Sequence, residues 1–292
     1  MKIALIGCGG IGSSLLPLLA RSLYSKKISS ATALFDQLVL IDGDHYERKN
    51  ISRQQFPLSF IGVNKAEAQK EKLKATLDIG EFITAIPSYV TEENVYALLD
   101  GVDIVLSGVD NLRARWVIGQ WARKQDAELK HFAVISGGND KVDGNVHIHA
   151  RWGISKTPNA PVEDLCIGEP IDSRHPEVSP NETEGSREHM SCQEVINLRG
   201  GEQTMMANSM AAILMFSALY ALRTNPIALA DVQDTYFDCL NYRFNVVRVG
   251  EQGGAKELSF DSVEDGEVEE TEAPSLAPAT EEVPDITITA EN

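Results

Sequence analysis

Lys2-Ile-Ala-Leu-Ile6-Gly7-Cys8-Gly9-Gly10-Ile11-Gly12 is the stretch that decides the fold. Lys2–Ile6 is an apolar run of buried-strand type that ends in glycines, and Ser13–Tyr24 then carries apolar residues at helical spacing. A strand that turns through glycines into a helix is the context in which such a motif holds phosphate. Gly7 permits the sharp turn, Gly9 and Gly10 let backbone approach a phosphate, and Gly12 allows the helix to pack closely on the strand. The helix N-terminus offers free N–H groups and a positive dipole end to an anion. An NAD(P)-dependent oxidoreductase uses the same motif, with its ribose-binding acid about 20 residues on. Here Asp42 stands 30 residues beyond Gly12, and an insertion over 25–36 accounts for the shift. The glycines alone leave the nucleotide open.

Working outward, short buried strands alternate with helices, which predicts an α/β fold, a Rossmann-like and mostly parallel sheet flanked by helices. Strands are read at 37–41, 82–86, 103–107 and 131–135, and helices at 65–77, 92–99 and 112–125. After Gly137-Gly138 the texture changes. Residues 145–152 alternate like a half-exposed antiparallel strand, and 235–249 read as an antiparallel pair or one long strand, so an antiparallel extension is expected. Residues 153–190 are rich in Pro, Asn, Glu, Ser and Gly and read as a long functional loop. Residues 203–223 form a strongly apolar helix whose methionines, Met205, Met206, Met210 and Met215, are assigned to the core.

Composition sets the bounds. The 292 residues are 43% apolar and 24% charged, ordinary for a globular protein, and residues 1–250 suffice for one large domain. No apolar run is read as approaching the ~18 residues of a membrane span, so no membrane partner is expected. Neither is a signal peptide, because a single Lys2 precedes the first apolar run and no small-residue cleavage site follows it. Four cysteines without a C-x-x-C pair point to a reduced, cytoplasmic protein. Residues 261–292 hold eleven of the 43 acidic residues and no Lys or Arg. Residues 251–292 are therefore expected to be a disordered acidic tail, either solubilising or docking a basic partner. The acidic body argues against nucleic-acid binding.

A second stretch tilts the choice of nucleotide. Asp42-Gly-Asp44-His-Tyr-Glu-Arg-Lys-Asn50-Ile-Ser-Arg53-Gln54 places two acids, an amide and an arginine just past a strand end. Gly62-x-x-Lys65 and Asp110-Asn111 follow. Hydride transfer builds no charge at the phosphates, but displacing pyrophosphate from ATP does. Arg53 and Lys65 are placed to neutralise that charge, Asn50 and Gln54 to donate hydrogen bonds, and Asp110 to hold Mg²⁺. N-capping of the helix at 112–125 is the competing role for Asp110-Asn111.

On GCGGIG (7–12), DGDHYERKNISRQ (42–54), GVNK (62–65) and DIVLSGVDN with Arg115 (103–115), the chain resembles the ThiF/MoeB superfamily, adenylyltransferases related to ubiquitin-activating enzymes. SCQEVINL (191–198) resembles the segment that follows the family's crossover loop. The resemblance implies a homodimeric, mixed-sheet domain that uses Mg-ATP to adenylate the C-terminal carboxylate of a ubiquitin-like or sulfur-carrier protein. It places Cys192 where some relatives carry an attacking cysteine. A small packed cysteine is the other reading of that residue, and Cys166 is a weaker nucleophile candidate. Cys8 and Cys239 read as core. The chain departs from the family in three respects. It lacks the paired C-x-x-C zinc ligands of many relatives, so structural zinc is not expected from Cys166, Cys192, His175 and His189, nor from His147 and His149 on one strand face. The family's trans-acting arginine comes from a helix before the first strand that is not read here, so either Arg21 or Arg48 substitutes for it or catalysis is weakened. The loop 153–190 has a composition of its own. A non-catalytic nucleotide-binding scaffold and an NAD(P)-dependent oxidoreductase are the alternative functions.

Overall fold

Strand β1 (Lys2–Ile6) sits inside a nine-stranded sheet because both of its faces are covered. Ile3 and Leu5 join an apolar cluster on one side of the sheet, while Ala4 and Ile6 join a second cluster on the other. That is why the strand reads as a continuous apolar run and not as an alternating one. The structure is a computed structural model that describes residues 1–29, 33–155, 161–180 and 204–249.

The parallel half of the sheet is formed by β1, β2 (Gln37–Ile41), β3 (Ile83–Ile86), β4 (Ile104–Ser107) and β5 (Phe132–Asn139), in the order β3-β2-β1-β4-β5. This order reverses between β1 and β4, and in open α/β sheets the crevice at such a reversal is where ligands bind. Helices α1 (Gly10–Ile28) and α2 (Lys65–Leu77) cover one face. The short α3 (Val95–Leu98) and α4 (Leu112–Ala127) cover the other. The antiparallel half continues through β6 (Asp143–Ile154), β8 (Val232–Asp238) and β9 (Arg243–Arg248), with β7 (Glu163–Ile167) also paired to β6. Helix α6 (Met205–Thr224) lies against α1, β5 and β6.

The expected fold class holds, with local corrections. Helix α1 runs on to Ile28 through polar but helix-compatible residues, with Lys26 and Lys27 in its last turn, so the insertion is shorter than expected. The helix read at 92–99 shrinks to α3, since Thr91 N–H donates to Asn94 Oδ1 and holds the preceding residues in a turn. Gly137 and Gly138 belong to β5, paired opposite Val146 and Asn145. The stretch 153–190 is not structureless: β7 and the short helix α5 (Ile171–Arg174) lie in it. The C-terminal segment 235–249 resolves into the antiparallel pair β8–β9. Met215 is core, but Met205 and Met206 stand half exposed at the start of α6. By length and composition α6 is also apolar enough to cross a membrane, which its interspersed Ala, Ser and Asn residues hide in a reading of contiguous apolar runs. In the fold it buries Ala207, Ala211, Met215 and Leu219 in the core. The tail 251–292, the segment 191–198 and His189 lie outside the described residues.

Candidate active site

A cleft of about 1090 Å³ opens at the C-terminal ends of β1, β2 and β4. It is at the upper end of the size range of small-molecule sites. Gly7, Gly9, Gly10, Asp42, Asp44, Asn50, Arg53, Gln54, Lys65, Asp110 and Asn111 all line it. The structure thus brings into one cleft residues read from segments a hundred residues apart. Gly12 lies just behind the lining, and Cys192 lies outside the described residues. Cys166 is exposed on β7 and does not line the cleft. Neither Arg21 nor Arg48 lines it.

The glycine loop is built by contact as well as by conformation. Gly7 has φ +89°, and a Cβ there would lie 2.9 Å from the backbone of Gly108, where the β1 and β4 ends meet. A Cβ on Gly12 would lie 2.0 Å from the Gly7 carbonyl oxygen. Gly10 corrects its expected role: its missing side chain makes room for Asn208 of α6, whose Oδ1 would be 2.4 Å from a Cβ. Only Gly9 leaves ordinary space, with Gln54 Nε2 at 3.7 Å from such a Cβ. Helix α1 starts with no side-chain cap and no acid in its first turn, so its N–H groups and dipole stay available to an anion.

The acids divide into different kinds. Asp42 is buried, and its two oxygens accept from the backbone N–H of Cys8 (2.6 Å) and of Asp44 (2.8 Å). It ties the glycine loop to the segment after β2. Burial raises its pKa, with Lys65 opposing. Asp44 Oδ2 pairs with Lys65 Nζ at 2.8 Å, and its Oδ1 accepts from Tyr89 O–H. Burial works against its charge, yet Lys65 and Tyr89 hold its carboxyl below the usual range, and that hydrogen bond to Asp44 pushes the Tyr89 phenol up to about 12. Asp110 lies exposed in the cleft, where surrounding protein raises its pKa and Lys65 opposes. Among the described residues no cation pairs with its carboxylate. That open oxygen donor beside a phosphate-type loop fits Mg²⁺. The capping role falls to the neighbour: Asn111 Oδ1 accepts from Ala114 N–H at 2.9 Å and starts α4.

Lys65 is itself almost fully buried, which its ordinary look in sequence conceals. Asn64 puts it there. Its Oδ1 caps α2 by accepting from Ala66 and Glu67 N–H, while its Nδ2 donates to the carbonyls of Asp42 and Asp44. Asn50 plays a similar internal part, accepting from Glu47 N–H across the 3₁₀ turn Arg48–Asn50. Arg115 braces the wall, donating to Val109 and Gly137 carbonyls. Asn64, Tyr89 and Asn208 were missed as site residues. GVNK contained the signal for Asn64, because an Asn before a helix start is a strong cap. No local signal marks the other two. Asn208 is fully buried and donates to the Arg53 carbonyl at 3.2 Å, and among the described residues its Oδ1 has no partner, nor has the Oε1 of buried Gln54.

His147 and His149 do not converge as a pair. His149 packs edge-on against Phe132, and burial lowers its pKa to about 4, whereas His147 bonds Asp234 of β8.

The ThiF family model matches residues 1–246. The chain is 25% identical over 134 residues to the SAMP-activating enzyme E1 of Haloferax volcanii, covering 46% of this chain and 45% of that one. It is 26% identical over 150 residues to the adenylyltransferase and sulfurtransferase UBA4 of Lodderomyces elongisporus, covering 50% of this chain and 29% of that one. It therefore spans less than half the length of either relative. Among solved structures, Escherichia coli MccB with ATP superposes with TM-score 0.53 at 18% identity, over 85% of this chain and 63% of that one, a likeness of fold.

Proposed function

The chain belongs to the ThiF family, and from that premise we propose that it is an ATP-dependent adenylyltransferase acting on the C-terminal carboxylate of a small ubiquitin-like or sulfur-carrier protein. The observation that carries the reading is the gathering of the glycine loop, Arg53, Lys65 and Asp110 in one cleft. Similarity to relatives named as activating enzymes and adenylyltransferases, and to a protein whose structure holds ATP, supports it.

In this reading a carboxylate oxygen of the carrier attacks the α-phosphorus of ATP. The new O–P bond forms as the bond from that phosphorus to the bridging oxygen breaks, leaving acyl-adenylate and pyrophosphate. The glycine loop and the N-terminus of α1 hold phosphate oxygens. Lys65, kept in place by Asn64, and Arg53 offset the charge that grows on the α-phosphate and the leaving group. Asp110 would hold Mg²⁺, which would screen the phosphate charge. Asp42 keeps the loop in shape. Cys192 is the nucleophile for any later covalent capture. The enzyme works as a cytoplasmic homodimer on residues 1–250.

Calorimetric titration should show Mg-ATP binding and no NADH binding. ATP–pyrophosphate exchange driven by the verified carrier should fall about 10²-fold or more in Arg53→Ala and in Asp110→Ala, with the fold retained. Tight NADH binding without a response to Mg-ATP would sink the proposal. Mg-ATP binding without exchange would leave a scaffold.

A further inference from the structure

We propose that His147, His175 and Asp234 hold a divalent metal ion, zinc by chemistry, in a site on the antiparallel half of the sheet outside the nucleotide cleft. The three residues come from separate parts of the chain. His147 is on β6 and Asp234 is its register partner on β8, while His175 follows α5. One donor atom from each lies within 4.8 Å of the other two. His147 and Asp234 are buried and His175 nearly so, and none of the three lines the cleft.

The hydrogen bonds around the cluster carry the inference. Asp234 Oδ1 lies 2.9 Å from His147 Nδ1 and 3.1 Å from His175 Nε2. Each imidazole spends its other nitrogen on an outer acceptor. His147 Nε2 faces the Glu169 carbonyl at 2.8 Å, and His175 Nδ1 faces the Glu177 carboxylate at 3.3 Å. A carbonyl only accepts, so the outer nitrogen of His147 carries the proton of its neutral ring, and the Glu177 carboxylate beside His175 favours the same tautomer there. Both inner nitrogens then turn lone pairs toward a carboxylate oxygen. Three acceptors facing one another in a buried place repel unless positive charge lies between them. Either each ring takes a second proton, or one metal ion replaces both.

The outer shell favours the ion. Metal-bound histidines donate their second N–H to a carbonyl or carboxylate, and ligating carboxylates are hydrogen-bonded in turn. All three elements of that pattern are present, because Arg174 Nε approaches the second oxygen of Asp234 at 3.5 Å. Two imidazoles and one carboxylate suit zinc, with bonds of about 2.0–2.2 Å. At such lengths the spacings of 2.9 and 3.1 Å subtend roughly 90–100° at the ion, so these two edges need to open by only a few tenths of an ångström to match tetrahedral angles. Mg²⁺ and Ca²⁺ prefer all-oxygen shells of six or more. The site uses no cysteine, so the missing C-x-x-C pairs say nothing against it. It would tie α5 and the turn after it to the middle of the antiparallel sheet.

The test is elemental analysis of the full chain, purified without a histidine tag or chelator, alongside His175→Gln and Asp234→Asn. Close to one zinc per chain is expected in the wild type and background levels in both variants. Metal-stripped wild type should bind Co²⁺ with the visible absorption of a tetrahedral ion, and its melting temperature should rise when zinc is restored. Because Asp234→Asn risks misfolding, the more accessible His175→Gln and the stripped wild type keep the test decisive. A wild type that holds no metal and answers neither Co²⁺ nor zinc overturns the proposal and leaves a cluster held by protons. Zinc retained at one per chain in both variants also overturns it, placing the metal elsewhere. None of these readouts depends on the nucleotide reaction.

Discussion

Asp42 and Asp110 share a charge and a cleft, yet the same substitution should move their stabilities in opposite directions. Both pKa values are raised, chiefly by surrounding protein. An acid raised above its unfolded value binds its proton more tightly in the fold, so the stability it contributes falls as pH rises through the folded value. Asp110→Asn should therefore leave the melting temperature at pH 7 unchanged or higher, with the difference vanishing below about pH 4, where the unfolded carboxyl is protonated as well. Asp42→Asn removes a costly charge too, but its amide turns N–H toward one of the two backbone donors that the carboxylate satisfies. It should cost about 1–3 kcal/mol in urea denaturation. Both acids line the cleft, and both were read as site residues from the sequence. Their division of labour was not, because it rests on which backbone N–H groups fold back onto them.

The elements that sequence located best are those with a chemical start signal. Helix α2 begins after Asn64 as a cap and ends at Asp78 in the left-handed conformation, and its bounds were read without error. Strand β7 and α5 escaped because five and four residues of mixed polarity carry no period, and pairing with β6 supplies what they lack. Contacts between distant elements were equally illegible. Gly10 was read as letting backbone approach a phosphate, while the space it leaves answers to Asn208 of α6. A Gly10→Ala side chain would strike Asn208, which is fully buried and bonded to the Arg53 carbonyl. Gly10→Ala should cost about 1–3 kcal/mol. In a double-mutant cycle, Asn208→Ala should relieve part of that cost, giving a coupling of about 1 kcal/mol measured by chemical denaturation. Strict additivity would show that the two sites do not meet.

Across the whole molecule, one sheet carries two kinds of architecture. The parallel half places the cleft at the β1/β4 reversal, and alternation of strands and helices in the sequence was enough to foresee the parallel sheet, though not its strand order. The antiparallel half gathers histidines and an acid that lie up to 87 residues apart, and no spacing rule announces such a meeting. Residues 1–252 form one compact unit by their contacts. A chain ending at Gln252 should keep the melting temperature and Mg-ATP affinity of the full protein, as scanning calorimetry and titration would read, while losing the acid-rich stretch of its charge. The meeting of α1 and α6 also sets an order in time. The glycine loop leaves the ribosome well before Asn208, which closes against Gly10 and emerges nearly two hundred residues later. A growing chain thus displays its glycine loop unfinished until α6 follows it out. Nascent chains stalled before residue 204 should fail to be retained on immobilised ATP, and those stalled after α6 has cleared the exit tunnel should be held.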